Sequence, residues 1–370
     1  MDKLIAIASQ FQIDGTIEEI KPLGPGFIND TFIVNTAEGN RYILQRKNHI
    51  IFPDVPGMMN NILMVTEHIK AKVAAAGGDP MREALTIVKR DTAGISDEEQ
   101  SLPHHDLYYK DEDGNFWAVC TFIEGSITYE KADTPELAYK GGQGIGKFQA
   151  QLTDFTTPLS ETIKGFHNIR WRFQQWEEAL ARDAAGRVKD LTEEISWIES
   201  RKEEMLAFWS LVENGTIPTR VTHNDTKISN ILFDKDGEVL CVIDLDTCMS
   251  STSLNDFGDA IRSYTNTSVE DERDLDKVSM SLEMFKAYAE GYLSERKGSL
   301  SESELEWLAF SGRYITYEQV LRFLMDYIDG DKYYKTFSPD HNLVRTHAQY
   351  KLLRSMEEQY EQMVEIIKNA

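Results

Sequence analysis

Up to about residue 123 the chain reads as short strand-like apolar runs with two helix-spaced stretches among them, and beyond it as mainly helical. Residues 2 to 11 form a short amphipathic pattern with Leu4, Ile5 and Ala8 on one face. In IEEIKPLGPGFINDTFIVNT, two strand-like runs flank Leu23-Gly24-Pro25-Gly26, and RYILQR at 41 to 46 reads as the next strand. Apolar positions 58, 62, 65, 69 and 73 then mark a helix. The runs EALTIVKR and HHDLYYKD read as further strands of an antiparallel sheet, with a hairpin turn at Asp113-Gly114 before FWAVCTFIEGS at 116 to 126. A boundary near residue 124 divides the chain into residues 1–123 and 124–370.

The second part reads as mainly helical. Ile145, Phe148 and Leu152 fall at helical spacing in AYKGGQGIGKFQAQL, where the tolerated glycines point to close helix contact. Phe166, Trp171, Phe173 and Trp176 form an aromatic stripe, by default core, and His167, Arg170 and Arg172 beside them are candidates to face a substrate cleft. A charged helix is expected over about 188 to 213. From there to Ala370 no repeat or low-complexity tract interrupts the pattern.

Between these helices lies VTHNDTKISNILFDKDGEVLCVIDLD, at 221 to 246, which has neither period throughout. It divides into a polar loop, His223 to Asn230, and two apolar runs, Ile231 to Phe233 and Val239 to Ile243, joined by the turn pair Asp236-Gly237. Such a hairpin folds the end of the second strand back toward the start of the first. Asp244 and Asn230 thereby become a pair of hard oxygen donors of the kind Mg²⁺ prefers when it also holds phosphates. Asp225, on the loop, is left to accept a proton.

Composition narrows the class. Hydrophobic residues at 41% and charged residues at 27% are ordinary for a soluble globular protein, and disorder is not indicated. Sixty-two acids against thirty-nine bases give a formal charge of -23, a field that repels nucleic acid and anionic membrane surfaces. Three cysteines, Cys120, Cys241 and Cys248, fit a reducing compartment better than a disulfide framework. No export signal is evident and no apolar run reaches membrane-spanning length, so a cytoplasmic location is expected.

H-x-D-x-x-x-x-N, carried by His223, Asp225 and Asn230 and followed by a strand-borne Ile243-Asp244, resembles a kinase catalytic loop and its metal-binding aspartate. HRD, DFG and APE signatures of protein kinases are absent. IDLD followed by DFGDAIR is similar to the aminoglycoside phosphotransferase and choline kinase superfamily. Within it, HNDTKISN, LGPGFINDTFIV, YILQR and RFLMDYIDGD look most like N-acetylhexosamine 1-kinases. The matches run from about residue 20 to about residue 335.

The resemblance implies an α+β, two-lobed protein-kinase-like fold with an antiparallel-sheet N-terminal lobe. It implies ATP and Mg²⁺ as cofactors and a small-molecule acceptor, with an amino sugar first. Asp225 is the expected base, Lys227 a contact to the transferring phosphoryl group, and Asn230 and Asp244 the metal ligands. Gly24 and Gly26 let backbone N–H groups approach phosphate, and backbone groups around Thr121, Phe122 and Ile123 meet the adenine edge. The superfamily keeps a phosphate-pairing cation on the strand at 41 to 46. Arg46 is preferred, Gln45 lies on the other face, Lys47 is a third candidate, and Glu67 is the helix acid that would hold the cation. Asn29, Asp30, His167 and Arg322 are candidate substrate contacts. His223, Asp246 and Asp259 are expected behind the ligands, with Asp259 holding the catalytic loop. A choline, ethanolamine or aminoglycoside kinase is the alternative, and a catalytically silent nucleotide-binding relative is the alternative of another class.

Overall fold

The computed structural model describes residues 2–24, 28–296 and 298–370. Gly26 lies outside the described residues. The chain forms two compact units, each discontinuous in sequence: Met1–Thr128 with Asp154–Lys164 and Ile231–Ser250, and Tyr129–Thr153 with Gly165–Asn230 and Ser251–Ala370.

The first unit is built on a six-stranded antiparallel sheet of β1 (Ile17–Pro22), β2 (Asp30–Thr36), β3 (Arg41–Lys47), β4 (Ile87–Val88), β5 (Tyr109–Lys110) and β6 (Phe116–Thr121), in the order β1-β2-β3-β6-β4 with β5 also on β6. The Asp113-Gly114 turn joins β5 to β6, with Gly114 at a φ of 81° that favours glycine. The two runs before it shorten to β4 and β5, two residues each. Helix α1 (Asp2–Ala8) packs on one sheet face, where Ile7, Ala8 and Phe11 meet Ile20, Val34, Tyr42, Leu44, Trp117 and Val119. Alternation along β3 therefore commits Tyr42 and Leu44 to that core and turns Ile43, Gln45 and Lys47 to the opposite face.

Helix α2 (Val55–Ala75) begins three residues before the apolar stripe, because Asp54 caps it by accepting the Gly57 N–H at 3.0 Å and Pro56 fits the first turn. Its stripe, Met58, Ile62, Val65, Ile69 and Val73, is buried. The hairpin of Ile231–Phe233 and Val239–Val242 also belongs to this unit, with Ile231 opposite Val242 and Gly237 at a φ of 80° in the turn. Its Leu232 and Cys241 pack with Ile123.

The second unit is mainly helical. Helices Pro135–Gln151 and Leu282–Arg296 approach so closely that a Cβ on Gly142 would collide with the backbone carbonyl of Tyr288, and one on Gly291 with that of Tyr139. The expected charged helix is two, Thr192–Glu199 and Lys202–Glu213. The 27-residue helix Glu302–Ile328 starts at a capping box of Ser301 and Glu304 and is buried along most of its length.

Candidate active site

The polar loop at 223 to 230 follows the short strand Arg220–Thr222 in the second unit and is held by one helix, Ser253–Tyr264. Asp256 and Asp259 stand three residues apart, one turn, on the same face of that helix. Asp256 accepts the N–H groups of His223 at 2.9 Å and Asn224 at 2.7 Å, and the Gln149 side-chain amide at 2.7 Å. Asp259 accepts the Thr226 N–H at 2.9 Å, and the Thr226 hydroxyl donates to the Asp256 carbonyl at 2.9 Å. These contacts fix the backbone on both sides of Asp225 and stabilise Asn224 in the left-handed region, at a φ of 66°.

The two carboxyls experience opposite balances. Burial pushes Asp256 above its ordinary value despite the His223 and Asn224 N–H groups it accepts. Burial also pushes Asp259 up, but the Arg262 guanidinium and His167 outweigh it, and the net effect lies below the ordinary value. His223 is fully buried with its ring edge-on to Phe148, and its Nδ1 accepts the Asp225 N–H at 3.3 Å. It shapes the loop from within.

Asp225 keeps 20% of its side chain exposed and carries two donors, the Lys227 amine at 3.0 Å and the Asn230 amide nitrogen at 3.2 Å. That nitrogen also donates to the Asp225 carbonyl at 2.8 Å, so the Asn230 oxygen is the end left for another ligand. In the first unit, Asp244 follows the hairpin in the left-handed conformation, with φ 59° and ψ 55°. A non-glycine residue held there marks a backbone constrained by its surroundings.

On β3, Arg46 shares the sheet face of Tyr42 and Leu44 at its exposed end and pairs with Asp30, its cross-strand partner. Lys47 turns the other way and is buried at 4% exposure, with its amine 2.7 Å from Asp246 and 2.7 Å from the Gln45 side-chain oxygen. Glu67 does not meet either cation. It is exposed on α2 and pairs with Lys70 one turn on. The Asn29 amide is engaged at both ends, donating to Asp246 at 2.7 Å and accepting the Asn48 N–H at 3.0 Å, so it braces Asp246.

At the end of β6, the N–H groups of Thr121 and Phe122 donate to the carbonyls of Thr86 and Arg41, which occupies two of the expected adenine-edge donors. The Ile123 carbonyl accepts the Ser126 hydroxyl at 2.7 Å. Gly24 has a φ of 69° and open space where a side chain would stand.

His167 and Arg322 come together in the second unit around Glu318, 151 residues from His167 in sequence. His167 precedes the helix Ile169–Arg182 at a φ of 56°, is buried, and meets Glu318 through Nδ1 at 2.5 Å. Arg172 donates to the other Glu318 oxygen at 3.1 Å. Burial opposes ionisation of Glu318, but His167 and Arg172 outweigh it and hold its carboxyl well below the usual range. The Arg322 guanidinium lies over Phe166 at 5.4 Å, Tyr334 at 5.7 Å and Tyr333 at 5.9 Å. Because Asp259 senses the charge of both His167 and Lys227, this cluster neighbours the loop.

Lys47, third among the sequence candidates for the strand cation, carries part of this arrangement together with Asp256 and Glu318, whose side-chain roles were not read from the sequence. Of the latter two, Asp256 left a local signal, its spacing from Asp259 on one helix face.

An antiparallel sheet with α2, a mainly helical second unit and a pinned H-x-D-x-x-x-x-N loop define a kinase-like α+β protein. The chain belongs to the phosphotransferase enzyme family, whose family model matches residues 19–293. Solved structures share the fold at low identity. A microcompartment-associated aminopropanol kinase is 16% identical with a TM-score of 0.61 over 98% of each chain. An aminoglycoside phosphotransferase from Alicyclobacillus acidocaldarius is 14% identical with a TM-score of 0.58 over 96% of each chain. A choline/ethanolamine kinase family protein from Mesorhizobium loti is 12% identical, with a TM-score of 0.54 over 100% of this chain and 99% of that one.

Proposed function

We propose that this protein is an ATP-dependent small-molecule kinase that phosphorylates the anomeric hydroxyl of an N-acetylhexosamine. The observation that carries the kinase reading is the Asp225 loop, in which buried Asp256 and Asp259 hold the backbone while Lys227 and Asn230 converge on the Asp225 carboxylate. A carboxylate so fixed accepts the proton of an acceptor hydroxyl and orients it toward the γ-phosphorus. Lys227 reaches the departing phosphoryl oxygens from the same loop. Lys47, the buried cation of β3, is the proposed phosphate partner in place of Arg46.

Asp244 and the Asn230 oxygen are the candidate ligands for Mg²⁺, which when bound neutralises charge on phosphate oxygens. The donor types fit, a carboxylate and an amide oxygen. A metal role has precedent in a fold neighbour of 13% identity, an amicoumacin kinase described in complex with AMP-PNP, Ca²⁺ and amicoumacin.

The preference for an acetylated sugar over an amino alcohol rests on the sequence resemblance, with Arg322 as the proposed sugar contact. A quaternary ammonium would need an aromatic cage, and the group of Phe166, Tyr333 and Tyr334 already surrounds this chain's own guanidinium. Arg172 and Arg322 against Glu318 leave a positive surplus, which repels a cationic acceptor. Polyhydroxylated neutral molecules incur no such cost.

The test is ATP consumption with Mg²⁺ across a panel of N-acetylglucosamine, N-acetylgalactosamine, choline, ethanolamine and an aminoglycoside. Turnover with an acetylated sugar and loss of its reducing end is expected. Turnover with choline or ethanolamine alone would reassign the acceptor, and nucleotide binding without turnover on any alcohol would make the protein a silent relative.

A further inference from the structure

A phosphate-pairing lysine buried in a protein must be held by a counter-charge, because a lone ammonium removed from water is costly. In this chain helix α2 does not supply it: its one acid, Glu67, is exposed and paired with Lys70. The buried polar residue on α2 nearest that role in type, Asn61, donates to the carbonyls of Ser160 at 2.8 Å and Cys248 at 3.1 Å and accepts the Ser160 N–H at 2.9 Å. Lys47 is held instead by Asp246, two residues past Asp244, with both side chains only 4% exposed.

Both oxygens of Asp246 are engaged in that arrangement. One oxygen takes the Lys47 amine at 2.7 Å, and the other takes the Asn29 amide at 2.7 Å, while the Asn29 oxygen is tied to the Asn48 N–H. Gln45 adds a second oxygen on the lysine at 2.7 Å. An aspartate two positions from the candidate metal ligand Asp244 is by chemistry a candidate second ligand. Its occupied oxygens argue for the other role.

We infer that Asp246, braced by Asn29, is the positioning residue for Lys47 and does not ligate the metal. This rests on the kinase reading above. Asp246 acts through Lys47 alone, so its influence disappears when Lys47 does.

Four proteins test it: wild type, Asp246→Asn, Lys47→Met and the double variant. ATP binding is measured by calorimetry with Mg²⁺ and in EDTA, alongside KM for each substrate, the half-saturating Mg²⁺ concentration and thermal melting. Asp246→Asn is expected to weaken ATP about tenfold or more while the acceptor KM stays within about twofold, and the double variant should match Lys47→Met within about twofold in ATP affinity, turnover and Mg²⁺ requirement. The double variant buries neither charge and is expected to melt above Asp246→Asn. Should Asp246→Asn fail to fold, Lys47→Met against the double variant decides alone. A further loss of about tenfold in turnover, or a raised Mg²⁺ requirement, on adding Asp246→Asn to Lys47→Met would assign the carboxylate to the metal and overturn the inference. Wild-type protein that binds no ATP in either condition would instead sink the kinase reading, and this inference with it.

Discussion

In the proposed kinase, Asp225 is the residue on which chemistry turns, and its surroundings make a specific demand. Lys227 and Asn230 donate to its carboxylate and fix its orientation. Replacing it with asparagine keeps the shape and removes the base, so kcat is expected to fall by ~10²–10⁴ while ATP affinity changes little. Single-turnover rates and calorimetry check both halves, and near-wild-type kcat would mean that another group takes the proton. Glu318 makes a second prediction, about stability. Its folded-state carboxyl is held below the ordinary value by His167 and Arg172 against the cost of burial. A depressed carboxyl contributes its full stability above its unfolded pKa of about 4.3, and that contribution is lost as pH falls toward the folded value. Glu318→Gln is therefore expected to lower the melting temperature at pH 7, by roughly 3 kcal/mol of stability, and to flatten the acid limb below about pH 4. An unchanged acid limb in calorimetric scans would show that other carboxyls govern it.

At the scale of elements, two helices matter most. Ser253–Tyr264 works as a clamp, since two carboxylates one turn apart capture three N–H groups of the loop carrying Asp225. Pro135–Gln151 contributes Gln149 to the same clamp and owes its position to glycines that admit the backbone of Leu282–Arg296. A methyl group at Gly142 meets the Tyr288 carbonyl rather than a side chain that can turn away. Gly142→Ala is expected to destabilise the fold by ~1–3 kcal/mol despite alanine's better helix propensity, measured by denaturant midpoint. The intrinsic preference alone would give stabilisation of about 1 kcal/mol, so the sign of the shift decides between propensity and packing.

For the whole molecule, the dominant global term is the charge of -23. Self-repulsion of that excess acts against the compact state and is screened by salt. Raising ionic strength from ~0.01 M to ~0.15 M shortens the screening length from about 30 Å to about 8 Å, and the melting temperature is expected to rise. A fall would show that the surface ion pairs, such as Arg273–Asp340 and Lys202–Glu177, outweigh the net repulsion. Both compact units draw on segments far apart in the chain, and Ile231–Ser250 brings the hairpin, Asp244 and Asp246 into the unit that holds β3. The Lys47–Asp246 pair spans 199 positions for that reason.

Local rules were enough for much of this architecture. The Asp236-Gly237 and Asp113-Gly114 turns, the α2 stripe, the glycine-bearing helix and the spacing of His223, Asp225 and Asn230 are short-range features, set by backbone conformation and side-chain period within a few residues. Tertiary structure decided the charges. Arg46 and Lys47 are adjacent and chemically alike, and burial of Tyr42 and Leu44 against α1 determines which of them enters the interior. Glu67 lies on the helix expected to hold the cation, yet it points to solvent and pairs with Lys70 one turn on. His167 and Glu318 acquire meaning only when 151 positions of chain close between them. The reason is physical: a turn or a helix is selected by its own residues, whereas a buried charge is selected by its partner, and partners are found by folding.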